Sequence, residues 1–233
     1  MSDLKTTKLA SISKAIIYTM PIYLGYVPIG FAYGVLALKT GLSPVNTILM
    51  SIIVFAGSAQ FVAVGLFALG LTPISVIVTT FIVNLRHLLM SASLSMFFKN
   101  WNKLQKALFS FHLTDETFVL HSVKFPKSKY SKTEIFTTNI TTQLSWVIGT
   151  ILGVLASELI TDIKPFALDY ALAAMFMGLL IIQLKNYFQL LVAIFSGFLA
   201  VWFLLLGLDK WNVILAIIFS ATVGVLVEEW IKN

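Results

Sequence analysis

The chain has no cysteine and few charged residues. Without cysteine it can form no disulfide, no thiol nucleophile and no thiolate metal site. Asp, Glu, Lys and Arg make up 11% of its 233 residues, whereas soluble domains average about 25%. Hydrophobic residues make up 58%, and the mean hydropathy is +0.93. A soluble core of this size cannot hide so much apolar surface, so the sequence predicts a protein embedded in lipid.

Long apolar stretches follow one another along the chain. Seven of them approach the ~20 residues that a helix needs to cross the hydrocarbon core of a bilayer. They cover residues 15–38, 46–69, 74–98, 133–157, 167–184, 187–206 and 211–230. An eighth stretch, residues 104–123, is apolar except for a charged centre. We predict an all-α polytopic membrane protein with a single transmembrane domain over residues 1–233.

Basic residues set the expected topology. Arg86 is the only arginine, and the densest cluster of lysines lies between residues 124 and 132. Basic loops are held on the cytoplasmic side, so this loop and the lysine-bearing N-terminus should be cytoplasmic, with residues 158–166 outside. An even number of crossings then separates the two, which requires 104–123 to cross. Eight transmembrane helices satisfy this rule, although three lysines between residues 99 and 106 then lie outside; seven, with an external N-terminus, is the alternative.

A weak internal repeat relates the two halves of the chain. GFAYGVLA at residues 30–37 parallels GTILGVLA at residues 149–156. Units with an even number of crossings enter the membrane in the same direction, so the match favours two parallel four-helix repeats. The glycines also form small-xxx-small patterns, which allow transmembrane helices to pack closely.

Arg86 lies inside the apolar segment FIVNLRHLLM, near the middle of its predicted helix. A charge at that depth costs at least ~2.5–3.5 kcal/mol unless it is paired or hydrated, so an intramembrane arginine marks a site by default. One face of the same helix carries a polar stripe formed by Thr80, Asn84, His87 and Ser91. We predict that Asn84 and Arg86 bind substrate and that His87 serves proton coupling or an ion pair. The alternative is a polar network that only packs helices together.

Acidic residues interrupt the stretch at 104–123. Asp115 and Glu116 lie near its centre, and His112 is one helical turn away from both. An intramembrane carboxylate can neutralise an arginine, and a carboxylate beside a histidine can take up and release protons. We predict that these three residues form an ion pair or serve proton coupling. The alternatives are a cytoplasmic amphipathic helix with a solvated charged patch, and a metal pair of His112 and Glu116, which lacks a third ligand.

Small residues break the second stretch halfway, in the sequence VFAGSAQFVAVG. A helix interrupted near the bilayer midplane offers unpaired backbone N–H groups, which transporters use to bind a substrate carboxylate. Gly57, Ser58 and Gln60 are therefore candidate substrate-binding residues, and Phe55 and Phe61 are candidates for an apolar wall. The alternative is close packing by small residues.

Two further features are weaker. Pro21 and Pro28 make the first stretch a second candidate for a broken helix, because proline removes a backbone donor. Asp169 and Gln183 bracket the stretch at 167–184, where we expect a structural role for Asp169 near the outer interface.

Five segments carry a family resemblance. In chain order they are GYVPIGFAYGVLA, FAGSAQF, FIVNLRHLLMSASLS, LTDETF and LDYALAAMFMGLL, between about residues 21 and 184. Together they resemble the AzlC family, the large subunits of bacterial branched-chain amino acid exporters. The resemblance implies export of valine, isoleucine, leucine or methionine. It also implies a small membrane subunit of the AzlD type as a partner.

The residues and the resemblance predict the same class of protein, a secondary transporter of the bacterial cytoplasmic (inner) membrane. Asp115 or Glu116 could accept the ammonium of an amino acid, and Arg86 with the break at 57–60 could bind its carboxylate. Protons are the default coupling ion, and we expect no cofactor and no nucleic-acid partner. Nucleotide-binding and hydrolase motifs are absent. The alternatives are a membrane-embedded metal-dependent enzyme and a non-transporting scaffold subunit.

Overall fold

The computed structural model describes most of the chain. The described ranges are residues 2–127, 131–160, 186–208 and 212–232, together with residues 170, 177, 178, 180, 181 and 184. Within them the chain forms helices and turns and no strand, which confirms the all-α prediction. The molecule divides into two compact units, Met1–Phe176 and Met177–Asn233.

Seven helices are described in the first unit. They are α1 (Ser2–Lys39), α2 (Pro44–Ile53), α3 (Gly57–Ala68), α4 (Pro73–Leu94), α5 (Lys103–Phe111), α6 (Asp115–Lys127) and α7 (Lys132–Ala156), with a 3₁₀ turn, Ser95–Phe98, after α4. Side chains cap the starts of four of them, those of Ser43, Thr72, Asn102 and Ser131. Such oxygens accept the backbone N–H groups that a helix start leaves unpaired, so the sequence marks these starts itself.

Helix length separates the elements into two classes. Within the described residues, four helices are long and apolar enough to cross a membrane: Lys8–Lys39, Pro73–Phe98, Lys132–Ala156 and Tyr187–Leu205. By contrast, α2, α3, α5 and α6 contain 10, 12, 9 and 13 residues. None of these four reaches the ~20 residues that a crossing requires.

Close contact between α1 and α7 forms the centre of the first unit. A Cβ atom added to Gly34 would lie 2.5 Å from the carbonyl oxygen of Thr150, and Gly30 meets the α7 backbone in the same way. Gly149 and Gly153 in turn lie directly against the backbone of α1. The predicted close packing of the four glycines is therefore confirmed, because any side chain at these positions would force the two helices apart.

The helices α1 and α7 run parallel. Thr19 Oγ1 donates to Thr138 Oγ1 at 3.2 Å, and one turn further along both helices Tyr23 Oη lies 2.5 Å from Thr141 Oγ1. The contacts advance in the same order along both helices. Their N-terminal ends therefore lie at the same end of the unit.

The expectation of a break in the first stretch is wrong. α1 is continuous although Pro21 and Pro28 lie inside it. Prolines are tolerated in membrane helices where neighbouring helices, Ser or Thr side chains or local adjustments satisfy the backbone groups that the proline frees. α1 contacts α7 on both sides of its prolines, at Thr19 and at Gly34.

The helices α2 and α3 form a hairpin, the first hairpin, with its tip at residues 54–56. The predicted break is confirmed, but the chain turns back at it instead of continuing across. Gln60 Nε2 donates to Ser51 Oγ at 3.0 Å, which a single kinked helix could not allow across nine residues. Tyr33 of α1 contacts both arms, through its hydroxyl on α2 and through Phe61 of α3, at 5.7 Å between ring centroids. The prediction that residues 46–69 cross the membrane is therefore wrong.

The helices α5 and α6 form a second hairpin, with its tip at residues 112–114. The ring of Phe109 lies 5.1 Å from that of His121, so the two arms are side by side. The start of α7, which follows α6, lies beside the start of α5, because Lys132 Nζ donates to Gln105 Oε1 at 2.9 Å. The second hairpin therefore begins and ends at the same end of the unit, and the prediction that 104–123 crosses the membrane is wrong.

The second hairpin accounts for the three lysines between residues 99 and 106, which the eight-helix prediction left on the outer side. Lysines 99, 103, 106, 124 and 132 now all lie at one end of the unit, here called the lysine-rich end. Lys124 Nζ also lies 4.6 Å above the ring of Tyr18, which places the start of α1 at that end. Up to Ile160, three helices are long and apolar enough to cross, namely α1, α4 and α7, where the eight-helix prediction has five. The number stays odd, so the N-terminus and Ile160 still lie at opposite ends.

The second unit contains α8 (Tyr187–Leu205) and α9 (Asn212–Lys232). They run antiparallel, since Val192 lies against Gly224 and the rings of Phe203 and Phe219 lie 5.9 Å apart. Both helices are strongly apolar and expose most of their large side chains, as lipid-facing helices do.

Some predictions fall beyond the described part of the chain. Most of the stretch at 167–184 lies outside it, including Asp169 and Gln183. Residues 161–166 of the loop expected to be external are outside it too. The two four-helix repeats and the total number of crossings therefore stay predictions.

Candidate functional site

The tips of the two hairpins meet in the middle of the first unit. The hairpins enter from opposite ends, and the ring of Phe55 lies 6.5 Å from that of His112. Beyond each tip a helix begins, α3 at Gly57 and α6 at Asp115. Two helix starts, each with a partial positive charge, therefore face the same space.

The start of α3 is uncapped. Phe55 takes a positive φ of 42°, and Ala56, the residue before the helix, offers no side-chain oxygen to the first N–H groups. Gly57 has no side chain because there is no room for one: an added Cβ would lie 2.8 Å from the Trp146 ring. The tip of the first hairpin therefore presents bare backbone donors, which bind anions.

The start of α6 is capped and acidic. The Thr114 N–H donates to Thr117 Oγ1 at 2.8 Å, and the Thr117 N–H donates back to Thr114 Oγ1 at 3.3 Å. Asp115 and Glu116 occupy the first turn. The backbone donors of this tip are partly satisfied within the hairpin, while its carboxylates face outward, an arrangement that suits a cation.

Arg86 of α4 joins the two tips. Its Nη1 lies 2.8 Å from Asp115 Oδ2, and its Nη2 donates to Ser58 Oγ. The Arg86 and Asp115 side chains are 29% and 13% exposed, so the ion pair is largely withdrawn from the surroundings. The only arginine of the chain thus bridges the tip of the first hairpin, with its backbone donors, and the tip of the second hairpin, with its carboxylates.

Glu116 has a different partner from Asp115. Tyr26 Oη of α1 lies 2.5 Å from Glu116 Oε2 and 2.7 Å from Thr114 Oγ1. The carboxylate of Glu116 is thereby held against α1, while that of Asp115 turns to Arg86. Two adjacent carboxylates in one helical turn therefore have separate environments and can have separate roles.

Neither histidine of the candidate site forms a hydrogen bond or ion pair with a carboxylate of the described residues. His112 Nδ1 donates to the Leu108 carbonyl oxygen at 2.7 Å, at the end of α5. The expected one-turn spacing from His112 to Asp115 and Glu116 is wrong, because the helix ends between them. His87 forms no hydrogen bond with the described residues. No group of three His, Asp or Glu side chains suited to a metal ion occurs in the described ranges.

Aromatic rings enclose the first hairpin. Trp146 of α7 lies 5.4 Å from the Tyr26 ring, 6.2 Å from the Tyr33 ring and 6.5 Å from the Phe61 ring. Phe55 is edge-on to Tyr26 at 6.4 Å. Phe55 and Phe61, predicted as an apolar wall, therefore belong to one aromatic cluster that adjoins the tips.

Several buried polar atoms near the tips have no hydrogen-bond partner among the described residues. They are Gln60 Oε1, Asn84 Oδ1, Arg86 Nε and Trp146 Nε1. Gln60 is fully buried and uses its amide nitrogen to hold Ser51, which in turn bonds Thr150 Oγ1 at 2.8 Å. Unpartnered polar atoms are rare inside proteins and are concentrated at functional sites, so these atoms point to a ligand.

Sequence reasoning missed three residues of this arrangement: Tyr26, Thr114 and Trp146. Thr114 carried a signal, since a threonine three residues before another threonine at a helix start is a capping pattern. No clear sequence signal marked Tyr26 or Trp146, because a single aromatic residue in an apolar stretch is ordinary. Their role becomes visible only when α1 and α7 are packed together.

Comparison with known proteins gives the family. Residues 21–160 match the model of the family described as AzlC protein. The chain belongs to the AzlC family. An uncharacterized membrane protein of Archaeoglobus fulgidus is 32% identical over 229 residues, which cover 96% of this chain and 97% of that protein.

Two further relatives have informative names. The inner membrane protein YgaZ of Escherichia coli is 30% identical over 174 residues, 72% of this chain and 71% of its own length. The branched-chain amino acid transport protein AzlC of Bacillus subtilis is 29% identical over 175 residues, 75% of this chain and 68% of its own. No solved structure matches the chain. Membership of this family and the long apolar helices identify a membrane protein.

Proposed function

We propose that this protein is a secondary transporter that exports branched-chain amino acids, and methionine, across the bacterial cytoplasmic membrane. The observation that carries the proposal is the meeting of an uncapped helix start and an acidic helix start across Arg86. The name of the Bacillus subtilis relative supports the substrate class.

An amino acid can replace the ion pair between the tips. Its carboxylate replaces that of Asp115 beside Arg86. It also accepts hydrogen bonds from the Ser58 hydroxyl and from the backbone N–H groups at the start of α3. Its ammonium takes the place of Arg86 on Asp115. Because a zwitterion carries both charges, the exchange leaves no charge unpaired, whereas a single-charged molecule would strand one partner.

The aromatic cluster suits an apolar side chain. Phe55, Phe61 and Tyr26 belong to the buried aromatic cluster beside the tips, and a branched aliphatic chain placed against these rings needs no polar partner. Contacts of this kind discriminate weakly between side chains that differ by one methylene group. Valine, isoleucine, leucine and methionine are therefore expected to share the site.

Opposed hairpins provide a route to alternating access. Each tip closes the space from its own end, so withdrawal of one hairpin opens the site to one side of the membrane while the other stays shut. Arg86 lies on α4, outside both hairpins, and can hold the substrate while either tip moves. The lysine-rich end is proposed to be cytoplasmic.

Protons are proposed to drive the cycle, and Glu116 is the group proposed to carry them. Its bond to Tyr26 gives it a place beside the substrate without occupying the substrate's ion pair. A small AzlD-type membrane subunit is proposed as partner. The apolar surface of α4 is almost entirely exposed, which leaves room for lipid or for such a subunit.

Counterflow transport tests the proposal. Proteoliposomes holding the purified protein, with and without the small subunit, are loaded with unlabelled leucine and exposed to labelled amino acids. We expect uptake of the branched-chain set and methionine, and none of lysine or glutamate. Absence of uptake for all of them, with the folded protein inserted, would show that the chain is not this transporter.

A further inference from the structure

Three helices turn polar faces toward one another between the tips and the lysine-rich end. The polar residues are Thr19, Tyr23 and Tyr26 on α1, Thr117, His121 and Lys124 on α6, and Glu134, Thr138, Asn139 and Thr142 on α7. Spacings of three or four residues, with Asn139 directly after Thr138, keep each set on one side of its helix. This group is called the polar seam.

The polar seam is almost completely buried. Thr19, Thr117, His121, Thr138 and Asn139 are each 0% exposed. Apolar residues would pack these helices at lower cost, because burying polar groups requires a partner for each of them. Ionisable groups inside a membrane domain are functional by default, and His121 is one of them.

One end of the polar seam begins at the candidate site. Glu116 Oε2 lies 2.5 Å from Tyr26 Oη, which lies 2.7 Å from Thr114 Oγ1. Thr114 Oγ1 in turn lies 3.2 Å from Thr117 Oγ1. Hydrogen-bonding groups therefore connect the buried carboxylate to the interior face of α6.

The other end of the polar seam reaches the lysine-rich end. His121 lies one turn beyond Thr117, and its Nε2 lies 2.7 Å from Asn139 Oδ1. Lys124 lies one turn further and forms an ion pair with Glu134 at 3.7 Å. The remaining steps, from Thr117 to His121 and from His121 to Lys124, each span about one helical turn, ~5–6 Å between Cβ atoms, so side-chain rotation or an intervening water must complete them.

We infer that the polar seam carries protons between Glu116 and the lysine-rich end, with His121 as the relay. The inference rests on the proposed function, for which it supplies the proton route. It assigns a role to α6 beyond its tip, since the same helix holds the substrate's ion partner at its start and the proton route along its length.

The relay step conserves protons. Asn139 Oδ1 can only accept, so His121 Nε2 carries a hydrogen and Nδ1 is the nitrogen that can take up a proton. Uptake at Nδ1 gives an imidazolium, and release of a proton from Nδ1 to the next group of the polar seam restores the neutral ring, with Nε2–H still donated to Asn139 Oδ1. One proton is taken up and one is released, and the tautomer of the ring does not change.

The charged groups around His121 are arranged on both sides of it. Glu116 lies toward the tips, while Lys124 and Glu134 lie toward the lysine-rich end, and Lys14 of α1 acts on Lys124. From α5 the neighbour is the uncharged ring of Phe109. Burial holds the pKa of Lys124 below its ordinary value, although Glu134 favours the charged form.

Two measurements on the same proteoliposomes test the inference. Leucine exchange at equal pH on both sides requires no net proton movement, whereas leucine accumulation driven by a pH gradient does. We expect His121→Gln, which keeps a donor for Asn139, to exchange leucine within twofold of the parent. Its gradient-driven accumulation and its proton uptake, followed with a pH-sensitive dye, should fall at least tenfold. Ser122→Ala, a neighbour whose hydroxyl donates to the Val119 carbonyl oxygen of its own helix, should change neither.

Three outcomes would overturn the inference. Parental gradient-driven accumulation in His121→Gln would show that protons take another route. Equal loss of exchange and accumulation in a folded variant would show a packing residue. No leucine transport in the parent itself would overturn the proposed function as well, which separates the two failures.

A second variant covers the case in which His121→Gln does not fold. Asn139→Asp keeps the acceptor oxygen and places a carboxylate beside His121, which favours the imidazolium and raises the pKa of the ring. Gradient-driven transport should then need a higher pH to reach half its maximum. An unchanged pH profile would contradict the relay.

Discussion

The first and second hairpins share one architecture, two short helices joined through a three-residue tip, but differ in the chemistry of that tip. In the first hairpin the tip is uncharged, and the helix behind it starts without a side-chain cap. In the second hairpin the tip is capped by threonines and followed at once by two carboxylates. One tip therefore offers donors and the other offers negative charge.

The surroundings of the hairpins differ as well. Aromatic rings pack on both hairpins, Trp146 and Tyr33 on the first and Phe98 and Trp101 on the second. Toward α7 the first hairpin presents the uncharged Ser51, bonded to Thr150, whereas the second presents an imidazole, His121, bonded to Asn139. An imidazole can take up and release a proton near neutral pH and a serine hydroxyl cannot, which is the difference on which the proposed roles of the two hairpins depend.

The comparison requires that the hairpins enter from opposite ends, and single cysteines in this cysteine-free chain test that requirement. We expect Lys103→Cys and Lys132→Cys to react with an impermeant thiol reagent from the same side of the membrane. Leu71→Cys, after the first hairpin, should react only from the other side. Opposite labelling of positions 103 and 132 would restore a crossing at 104–123.

Arg86→Ala removes the link between the tips and should abolish transport. Loss of one member of a buried ion pair costs about 3–5 kcal/mol, so folding is also expected to weaken. Arg86→Lys keeps the charge but loses the fork that contacts Asp115 and Ser58 together, and should fold but transport poorly. Counterflow of labelled leucine and thermal unfolding measure both effects. Parental export by Arg86→Ala would make the arginine a packing residue.

Double variants separate the two carboxylates. Arg86→Gln combined with Asp115→Asn should recover expression without restoring flux, because the ion pair lies at Asp115. Arg86→Gln combined with Glu116→Gln should recover less, because Glu116 is bound to Tyr26. The recovery is measured as the amount of each variant in matched membrane preparations. Equal recovery by the two double variants would contradict separate roles for Asp115 and Glu116.

Gly57→Ala tests how closely the first tip is packed. An added Cβ would lie 2.8 Å from the Trp146 ring, so we expect a loss of ~1–3 kcal/mol in unfolding free energy, together with a slower transport rate. Gly65→Ala lies on the same helix with open space around it and serves as the control. Equal melting temperatures for the two variants would mean that the tip can move away from Trp146 at no cost.

Ser58→Ala should have the smallest effect on function. The substrate carboxylate keeps Arg86 and the backbone donors and loses one hydroxyl, worth about 0.5–1.5 kcal/mol, or two- to tenfold in KM. The maximal rate should stay near that of the parent. A fall of more than a hundredfold would place Ser58 at the centre of the site, above the backbone donors.

Charged residues could be interpreted from the sequence because a charge in lipid is costly. Small residues could be interpreted because they mark helix breaks and close packing. Arg86 and Asp115 were predicted as neighbours for that reason, and the break before Gly57 was predicted from the run of small residues. The four packed glycines were predicted too, because close helix packing in membranes has a short and distinctive pattern.

The turning back of both hairpins could not be predicted. A stretch such as 46–69 has the length and polarity of a crossing helix, and nothing local distinguishes a kink from a reversal. The reversal depends on contacts with distant residues, for example Phe61 with Tyr33. The prediction that His112 lies one turn from Asp115 and Glu116 was wrong for the same reason, since a one-turn spacing holds only while the helix continues.

The central claim is that a zwitterion replaces the Arg86–Asp115 ion pair between the tips. Thermal unfolding of the purified protein with three ligands tests it most directly: leucine, 4-methylpentanoate, which lacks the ammonium, and isoamylamine, which lacks the carboxylate. We predict that leucine raises the melting temperature in a dose-dependent way, that neither analogue does, and that Asp115→Asn abolishes the leucine effect. Equal stabilisation by either single-charged analogue, or none by leucine, would contradict the claim.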